Sequence, residues 1–229
     1  MQNTPMSDHR SRFLQLALHS QALRFGEFTL KSGRLSPYFF NAGRFDSGAR
    51  LAELAVCYAD AVEASGIQFD LLFGPAYKGI PLATALACEF SRRGRDLPVA
   101  FNRKEAKAHG EGGMLIGASL EERRVLIVDD VITAGTAIRE ALGLIGAGGG
   151  SVAGIVVALD RQEVLGEADG APETRRSAAQ AVAAETGVPV VAVANLHDLL
   201  AFAGESAELV THRDRLLAYR ASYGSGSSN

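Results

Sequence analysis

The sequence Val125-Leu126-Ile127-Val128-Asp129-Asp130-Val131-Ile132-Thr133-Ala134-Gly135-Thr136 decides the fold class. Its apolar run has the length of a buried strand, and two acids follow where that strand ends. Small residues then open a helix predicted over 136–146. Apolar strands that alternate with helices predict an α/β fold with a mostly parallel sheet covered by helices on both faces. The other predicted strands are 69–73, 98–102, 152–159 and 188–194, and the other predicted helices are 8–24, 48–65, 79–93, 175–186, 196–203 and 206–220.

The length of 229 residues allows one large domain, or one with a small addition, and the composition is that of a globular protein with a net charge of -3. That charge argues against a protein that holds nucleic acid by charge alone. No apolar run has the roughly 18 residues that a membrane span needs, and no signal peptide is evident at the start. Cys57 and Cys88 fit no metal motif and are expected to be buried free thiols. We therefore expect a cytoplasmic protein with no membrane partner.

The turn after the strand at 125–128 has the character of an anion site. Backbone N–H groups and hydroxyls from Thr133 to Thr136, together with a helix N-terminus, suit one phosphate monoester. Asp129 and Asp130 would repel a phosphate but can accept hydrogen bonds from ribose hydroxyls, so a ribose 5-phosphate satisfies both halves. The alternative is an ordinary strand–turn–helix with Asp capping, which is disfavoured because buried paired acids are costly without a partner.

Polar segments also follow the other predicted strands, and ligands of such sheets bind outside the carboxyl ends of the strands. The glycine-rich segment from Arg103 to Gly113 carries Lys104, Lys107 and His109, which suits a mobile cover over a polyanion; alone it would be a solvated charged loop. The segment Gly74–Gly79, with Lys78, suits a second phosphate or is a plain strand–helix turn.

A third group of residues suits a flat anionic ring. Lys31 lies near the adjacent aromatics Phe39 and Phe40 in a predicted hairpin that turns at 31–34. Arg161 follows the strand at 152–159 and suits a substrate carboxylate. The alternatives are core aromatics with a surface lysine and a surface ion pair for Arg161.

Together these motifs resemble the type I phosphoribosyltransferase family. The segments that carry the resemblance are TLKSGR (29–34), SPYFFNAG (36–43), GPAYKGIPL (74–82), FNRKEAKAHGEGG (101–113), VDDVITAGTA (128–137) and ALDRQE (158–163). TLKSGR and FNRKEAKAHGEGG are most similar to the orotate phosphoribosyltransferases within that family. The resemblance implies a glycosyltransferase that joins orotate to 5-phosphoribosyl diphosphate (PRPP) in pyrimidine (UMP) biosynthesis, releasing pyrophosphate. It also implies Mg²⁺ carried by PRPP rather than by protein ligands, and a homodimer with shared active sites.

The resemblance also implies residue roles. The PRPP set is Lys31, Tyr77, Lys78, Arg103, Lys104, Lys107, His109, Asp129, Asp130, Val131, Ile132, Thr133, Ala134, Gly135, Thr136 and Ala137. The orotate set is Lys31, Phe39, Phe40, Thr133 and Arg161, and the catalytic set is Arg103, Lys107, His109, Asp129 and Asp130. The turn containing Tyr77 and Lys78 often holds a non-proline cis peptide in the superfamily. Ala108 departs from the acidic residue common before this histidine.

The resemblance divides the chain into an N-terminal helix and hood over the base site (1–47), a PRPP-binding α/β core (48–221) and a disordered tail (222–229). Two other functions stay open. One is a phosphoribosyltransferase for a purine base, which the cations and aromatics expected at the base pocket disfavour. The other is a PRPP-sensing regulator without catalysis, which should lack the basic loop and carry a DNA-binding element.

Overall fold

The computed structural model describes residues 8–30, 32–105, 113–164, 175–205 and 209–226. The helices among these residues are α1 (Asp8–His19), α2 (Gly48–Ser65), α3 (Gly79–Arg92), α4 (Thr136–Ala147), α5 (Ala178–Thr186), α6 (Leu196–Glu205) and α7 (Val210–Tyr223), with a 3₁₀ turn at Ala42–Arg44. The strands are β1 (Leu23–Thr29), β2 (Leu35–Phe40), β3 (Leu71–Gly74), β4 (Val99–Asn102), β5 (Leu115–Gly117), β6 (Arg124–Asp129), β7 (Ser151–Asp160) and β8 (Val190–Asn195).

The main sheet has six strands in the order β5-β4-β3-β6-β7-β8. Every neighbouring pair from β4 to β8 is parallel, and β5 alone pairs antiparallel, with β4. The predicted α/β fold with a mostly parallel sheet is therefore confirmed. After β3 the chain first adds β4 on one side and later β6 on the other. The strand order thus reverses between β3 and β6, where sheets of this kind open a crevice at their carboxyl edge.

Helices cover both faces of the sheet, which explains why the interior positions of its central strands are apolar. Along one strand, alternate residues point to opposite faces. Leu126 and Val128 belong to the core cluster packed under α2 and α3, whereas Val125 and Ile127 belong to the cluster under α4 and α5. Each residue of β6 from Val125 onward is buried. A strand buried on both faces loses the polar alternation of an exposed sheet.

The N-terminal segment forms an antiparallel hairpin of β1 and β2 that packs with α1 and α7. Phe13 of α1 and Tyr38 of β2 belong to the same core cluster as Leu54 of α2 and Tyr219 of α7. The hairpin therefore shares a core with the rest of the chain and is also covered by its C-terminal helix. The division into a hood at 1–47 and a core at 48–221 stays a prediction.

Three expectations about local structure were wrong. The first helix ends at His19 instead of residue 24, because the chain turns at Gln21, which has a φ of 54°, and then begins β1. Disorder was expected from residue 222, but Ser222 and Tyr223 complete α7, and the Ser225 N–H donates to the Gln162 carbonyl oxygen at 2.7 Å. Cys57 is a buried free thiol as expected, whereas Cys88 is exposed on α3.

Gly79 begins α3 where the backbones of three segments meet. A Cβ at this position would lie 2.6 Å from Pro75 Cδ and 2.7 Å from the Val128 carbonyl oxygen. Because the ring is fixed and the oxygen belongs to β6, neither can move aside cheaply. We expect Gly79→Ala to lower the free energy of unfolding by about 1–3 kcal/mol, as overpacking does, measured by urea and thermal unfolding.

The matched control is Gly143→Ala in the middle of α4, where a Cβ would meet nothing within 4 Å. This substitution is expected to raise the free energy of unfolding by up to about 1 kcal/mol through helix propensity. A Gly79→Ala protein as stable as the parent would show that the turn before α3 can rearrange.

Candidate active site

Two carboxylates lie at the carboxyl end of β6, beside the crevice. The side chains of Asp129 and Asp130 belong to residues only 9% and 6% exposed. The Asp130 N–H donates to Asp129 Oδ1 at 2.9 Å. The buried Tyr58 hydroxyl donates to the Asp129 carbonyl oxygen at 2.8 Å. These bonds fix the end of the strand, so the two acids are held in place before any ligand arrives.

An ion pair joins the two strands at the point where the strand order reverses. Lys78, in the turn after β3, places Nζ 2.6 Å from Asp130 Oδ2. The lysine side chain is 55% exposed while the aspartate is nearly buried. The lysine therefore compensates one buried carboxylate while about half of its side chain stays exposed. This brings together two residues that the sequence placed in the same ligand set.

The turn that carries Lys78 is fastened to the next strand. The Ala76 N–H donates to Asn102 Oδ1, at the end of β4, at 2.9 Å. The Ala76–Tyr77 peptide is cis, as the resemblance implied. Tyr77 is 66% exposed, and Lys104 Nζ lies 5.0 Å from its ring centroid. The turn after β3 and the start of the basic loop after β4 therefore meet at one place.

The electrostatics of the two acids are unequal. Burial, followed by the neighbouring charge of Asp130, raises the pKa of Asp129 to about 7, against the weaker opposing effect of Lys78. Asp130, by contrast, has the lysine in direct contact. The Asp129 carboxyl group suits hydroxyl ligands, because it can form a hydrogen bond with a hydroxyl whether or not it carries a proton.

The raised pKa of Asp129 makes the stability of the free protein depend on pH. Between the ordinary value of 3.8 and about 7, the folded state keeps a proton that the unfolded chain releases. The free energy of unfolding should therefore fall as the pH rises through this window. We expect Asp129→Asn to remove this part of the slope, measured by urea unfolding across the window.

Asp70→Asn is the control, because Asp70 is only partly buried and its pKa is lowered by hydrogen bonds from Arg124. A lowered pKa affects stability only in acid, below the window in question. The same pH slope in the parent and in Asp129→Asn would contradict the proton assignment.

The segment from Thr133 to Ala137 comprises the turn before α4 and the first residues of that helix. Gly135 is the N-cap of α4, with a φ of 75°, and as a glycine it offers that helix no capping side chain. Thr133, Thr136 and Ala137 are exposed. The N–H groups of Gly135 and Thr136 donate to no acceptor among the described residues. The backbone donors at this end of α4 are therefore left without a partner in the described structure, as a phosphate cradle requires.

The basic loop is described only at its two ends. Antiparallel pairing of β4 with β5 brings those ends together, and the Arg103 N–H donates to the Met114 carbonyl at 2.7 Å. Arg103 Nη1 also lies 3.3 Å from the Gly113 carbonyl oxygen. These two contacts hold the ends of the loop together where β4 ends, at the carboxyl edge of the sheet. Lys31, Lys107, Ala108 and His109 lie outside the described residues, so their expected roles stay predictions.

Arg161 lies after β7 in a buried polar cluster. Its Nε donates to Glu163 Oε1 at 2.8 Å, and its guanidinium carbon is 4.7 Å from the ring centroid of Tyr38. The Tyr38 hydroxyl donates to the same glutamate oxygen at 3.2 Å. Arg161 Nη2 also approaches Ser36 Oγ at 3.4 Å. The arginine side chain is thus only 15% exposed and packs against the hairpin, so it is not part of a surface ion pair.

The predicted aromatic pair is split between two faces of the hairpin. Phe40 is buried in the core, with its ring centroid 6.0 Å from that of Phe13. Phe39 points to the opposite face, where its ring lies 5.5 Å from that of Phe28 and Arg24 lies 5.8 Å away. Because neighbouring strand residues alternate, the two rings do not form one stacking surface.

The donor set fits a magnesium ion brought by a phosphate ligand. Asp129 and Asp130 supply carboxylate oxygens, and Mg²⁺ is commonly held by one or two carboxylates together with substrate phosphates. Within the described residues, no group of three or more His, Cys, Asp or Glu side chains is placed to hold a metal ion.

In the same part of the chain, no helix is long and apolar enough to span a membrane.

Known proteins match this chain over nearly its whole length. The family model described as "Phosphoribosyl transferase domain" matches residues 45–184. Curated proteins named orotate phosphoribosyltransferase include one from Xanthomonas campestris pv. campestris (strain B100), 74% identical over 97% of this chain and 100% of its own. The chain belongs to the orotate phosphoribosyltransferase family. Another family member, from Stenotrophomonas maltophilia (strain K279a), is 72% identical over 96% of this chain and 98% of its own.

A solved structure from this family supports the same assignment. The orotate phosphoribosyltransferase of Francisella tularensis is 42% identical, with a TM-score of 0.82, over 93% of this chain and 99% of its own. The resemblance and the fold predicted from the sequence are both confirmed. The sequence does not indicate the residues that support the site, namely Tyr58, Asn102 and Glu163, because it carries no signal of which strands are neighbours.

Proposed function

We propose that this chain transfers the 5-phosphoribosyl group from PRPP to orotate, giving orotidine 5′-monophosphate and pyrophosphate in pyrimidine (UMP) biosynthesis. The supporting observation in the structure is the ion pair of Lys78 and Asp130. It joins the two turns that flank the crevice between β3 and β6. One turn is proposed for the diphosphate and the other for the ribose and its 5-phosphate, so a single substrate spans both.

The ribose phosphate half of PRPP is assigned to the turn after β6. Asp129 and Asp130 accept hydrogen bonds from the ribose 2- and 3-hydroxyls. The backbone from Thr133 to Ala137 holds the 5-phosphate, and Val131 and Ile132 line the approach. Support comes from the burial of the two acids and from the N–H groups of Gly135 and Thr136, which have no acceptor among the described residues.

The diphosphate half is assigned to the turn after β3 and the basic loop. Tyr77 and Lys78 contact the diphosphate, and Arg103, Lys104, Lys107 and His109 cover it, with Lys31 at the junction with the base. The contact between Lys104 and the Tyr77 ring supports the meeting of these two segments. When bound with PRPP, Mg²⁺ would neutralise diphosphate charge, with Asp129 and Asp130 as the available carboxylates.

Orotate is assigned to the space between the hairpin and the end of β7. Arg161 recognises the carboxylate, and Lys31 and Thr133 contact the ring. Phe39 and Phe40 were expected to stack on orotate. The opposite orientation of their side chains supports at most one stacking ring, with the other fixing the hairpin in the core.

The reaction needs no covalent enzyme nucleophile. Orotate nitrogen forms the new bond to ribose C1 as the bond from C1 to the diphosphate breaks, through an oxocarbenium-like state. The protein orients the two substrates and stabilises charge on the departing pyrophosphate. Cations of the basic loop suit this second task because the negative charge grows there in the transition state.

A spectrophotometric orotate assay tests this function. Orotate absorbance should fall only when orotate, PRPP, Mg²⁺ and the protein are all present, with each omitted in turn as a control. Turnover with a purine base instead of orotate would favour the first alternative. PRPP binding without turnover of any base would favour a sensing regulator. The homodimer and the cytoplasmic location stay predictions.

A further inference from the structure

Arg139 connects the turn before α4 to the neighbouring helix. Its Nη1 donates to the carbonyl oxygen of Ala134 at 2.8 Å. On its other side, Nε lies 3.0 Å and 3.1 Å from the two carboxylate oxygens of Glu185 in α5, and Nη2 lies 2.6 Å from Oε2. One guanidinium therefore spans from α5 to the middle of the segment assigned to the 5-phosphate.

The contact with Ala134 constrains the direction of a backbone donor. The carbonyl of Ala134 and the N–H of Gly135 belong to one planar peptide. In a trans peptide these two groups point in opposite directions. With the carbonyl held toward Arg139, the Gly135 N–H must point away from it, out of the helix end. The arginine thus sets the orientation of a proposed phosphate donor without touching the phosphate.

A second contact from the same residue fixes the next peptide. The backbone N–H of Arg139 donates to the Gly135 carbonyl oxygen at 3.0 Å. A Cβ at Gly135 would lie 2.9 Å from Arg139 Nη1 and 3.0 Å from Val182 Cγ2 of α5. The turn is therefore packed closely against both the arginine and α5. Two successive carbonyls of the turn are held, and with them the N–H groups of Gly135 and Thr136.

The charge of Arg139 is balanced by Glu185, so simple attraction of a phosphate is not its main contribution. Isolated exposed ion pairs contribute little to stability, and both side chains are partly exposed. We infer that Arg139, oriented by Glu185, is a positioning residue for the cradle that holds the 5-phosphate. The inference rests on the proposed function, because it concerns the same PRPP site.

The test compares two ligands that use different halves of the site. Ribose 5-phosphate requires the cradle, whereas pyrophosphate requires the turn after β3 and the basic loop. In calorimetric titrations, Arg139→Met should weaken ribose 5-phosphate binding by about 3- to 10-fold, the effect of one lost hydrogen bond. Pyrophosphate binding should stay at the parental value. Glu185→Gln should weaken ribose 5-phosphate less, because the bond to Ala134 remains.

Arg124→Met is the matched control. Arg124 makes a similar exposed pair with Asp70, at 2.9 Å and 2.7 Å, at the opposite end of β6. The Arg124→Met substitution should leave the binding of ribose 5-phosphate and of pyrophosphate unchanged. Unchanged ribose 5-phosphate binding in Arg139→Met, or equal weakening of both ligands, would overturn the positioning role. If the parent protein turns over orotate and Arg139→Met gives either of these results, only this inference is refuted. A parent protein that binds neither ligand would instead refute the proposed function.

Discussion

Replacing Lys107 with alanine is expected to lower kcat by roughly 10²–10³-fold, the usual effect of removing one donor that acts in the transition state. The negative charge on pyrophosphate grows as its bond to ribose C1 breaks, and a cation placed there matters most at that moment. The KM values for PRPP and orotate should change much less. Steady-state kinetics with both substrates measure the split. Unchanged turnover would remove Lys107 from the chemistry.

Glu105→Ala is the control within the same loop, since Glu105 is exposed and has no proposed contact with PRPP. It should leave kcat near the parental value. A loss of similar size would mean that any change in the loop is harmful and that the lysine has no particular role.

A mixing experiment tests whether the loop serves the neighbouring subunit. Lys107→Ala and Asp129→Asn should each be poorly active alone. If each site takes its loop from one chain and its carboxylates from the other, random reassociation leaves half of the mixed dimers' sites intact. About a quarter of the parental activity should then return. No recovery on mixing would place the loop and the carboxylates of one site in the same chain.

The sequence predicted the strands and most helices well because their patterns are local. The segment 48–65 has a helical pattern followed by Gly66, and the structure ends α2 there with Gly66 at a φ of 70°. The strand of 125–128 was clear because residues buried on both faces form a continuous apolar run. Its two acids were expected to need a partner, and Asp130 has one in Lys78.

Features that depend on strand order could not be predicted. Sequence spacing does not reveal that β3 and β6 are neighbours, and so it did not pair Lys78 with Asp130. The same limit hid the contact of Tyr58 with the end of β6. Strand β5 has only three residues, too few for a periodic signal, and it is defined by its pairing with β4.

The local signal was misleading where one element follows another closely. The apolar residues Ala22 and Leu23 continue the helical pattern of α1, but the helix has already ended at His19. Both residues lie after the turn at Gln21, where they are buried, and Leu23 begins β1. Glu163 stood in a quoted motif without a role, because only the folded hairpin shows that it shares Tyr38 and Arg161 as partners. Sequence reasoning therefore predicted which loops form the site better than it predicted what supports them.

Arg161→Ala is expected to raise the KM for orotate by roughly 30-fold or more, since truncating one partner of a buried hydrogen-bonded charge pair costs about 2–5 kcal/mol. The KM for PRPP should change little, because the side chain of Arg161 contacts Glu163 and the hairpin residue Ser36 rather than the residues assigned to PRPP. Initial rates with each substrate varied in turn give the two values. Equal rises in both would contradict the assignment of Arg161 to the orotate carboxylate.

The buried neighbour of Arg161 provides the decisive control. In Arg161→Ala, the Glu163 carboxylate loses its cation and would itself repel orotate, so part of the loss could come from that charge. The double variant Arg161→Ala with Glu163→Gln removes the charge and keeps a side chain of the same shape. If Arg161 binds the carboxylate directly, orotate binding stays weak in the double variant, because no guanidinium remains to donate paired hydrogen bonds. Recovery of a parental KM would instead mean that Arg161 serves only to neutralise Glu163.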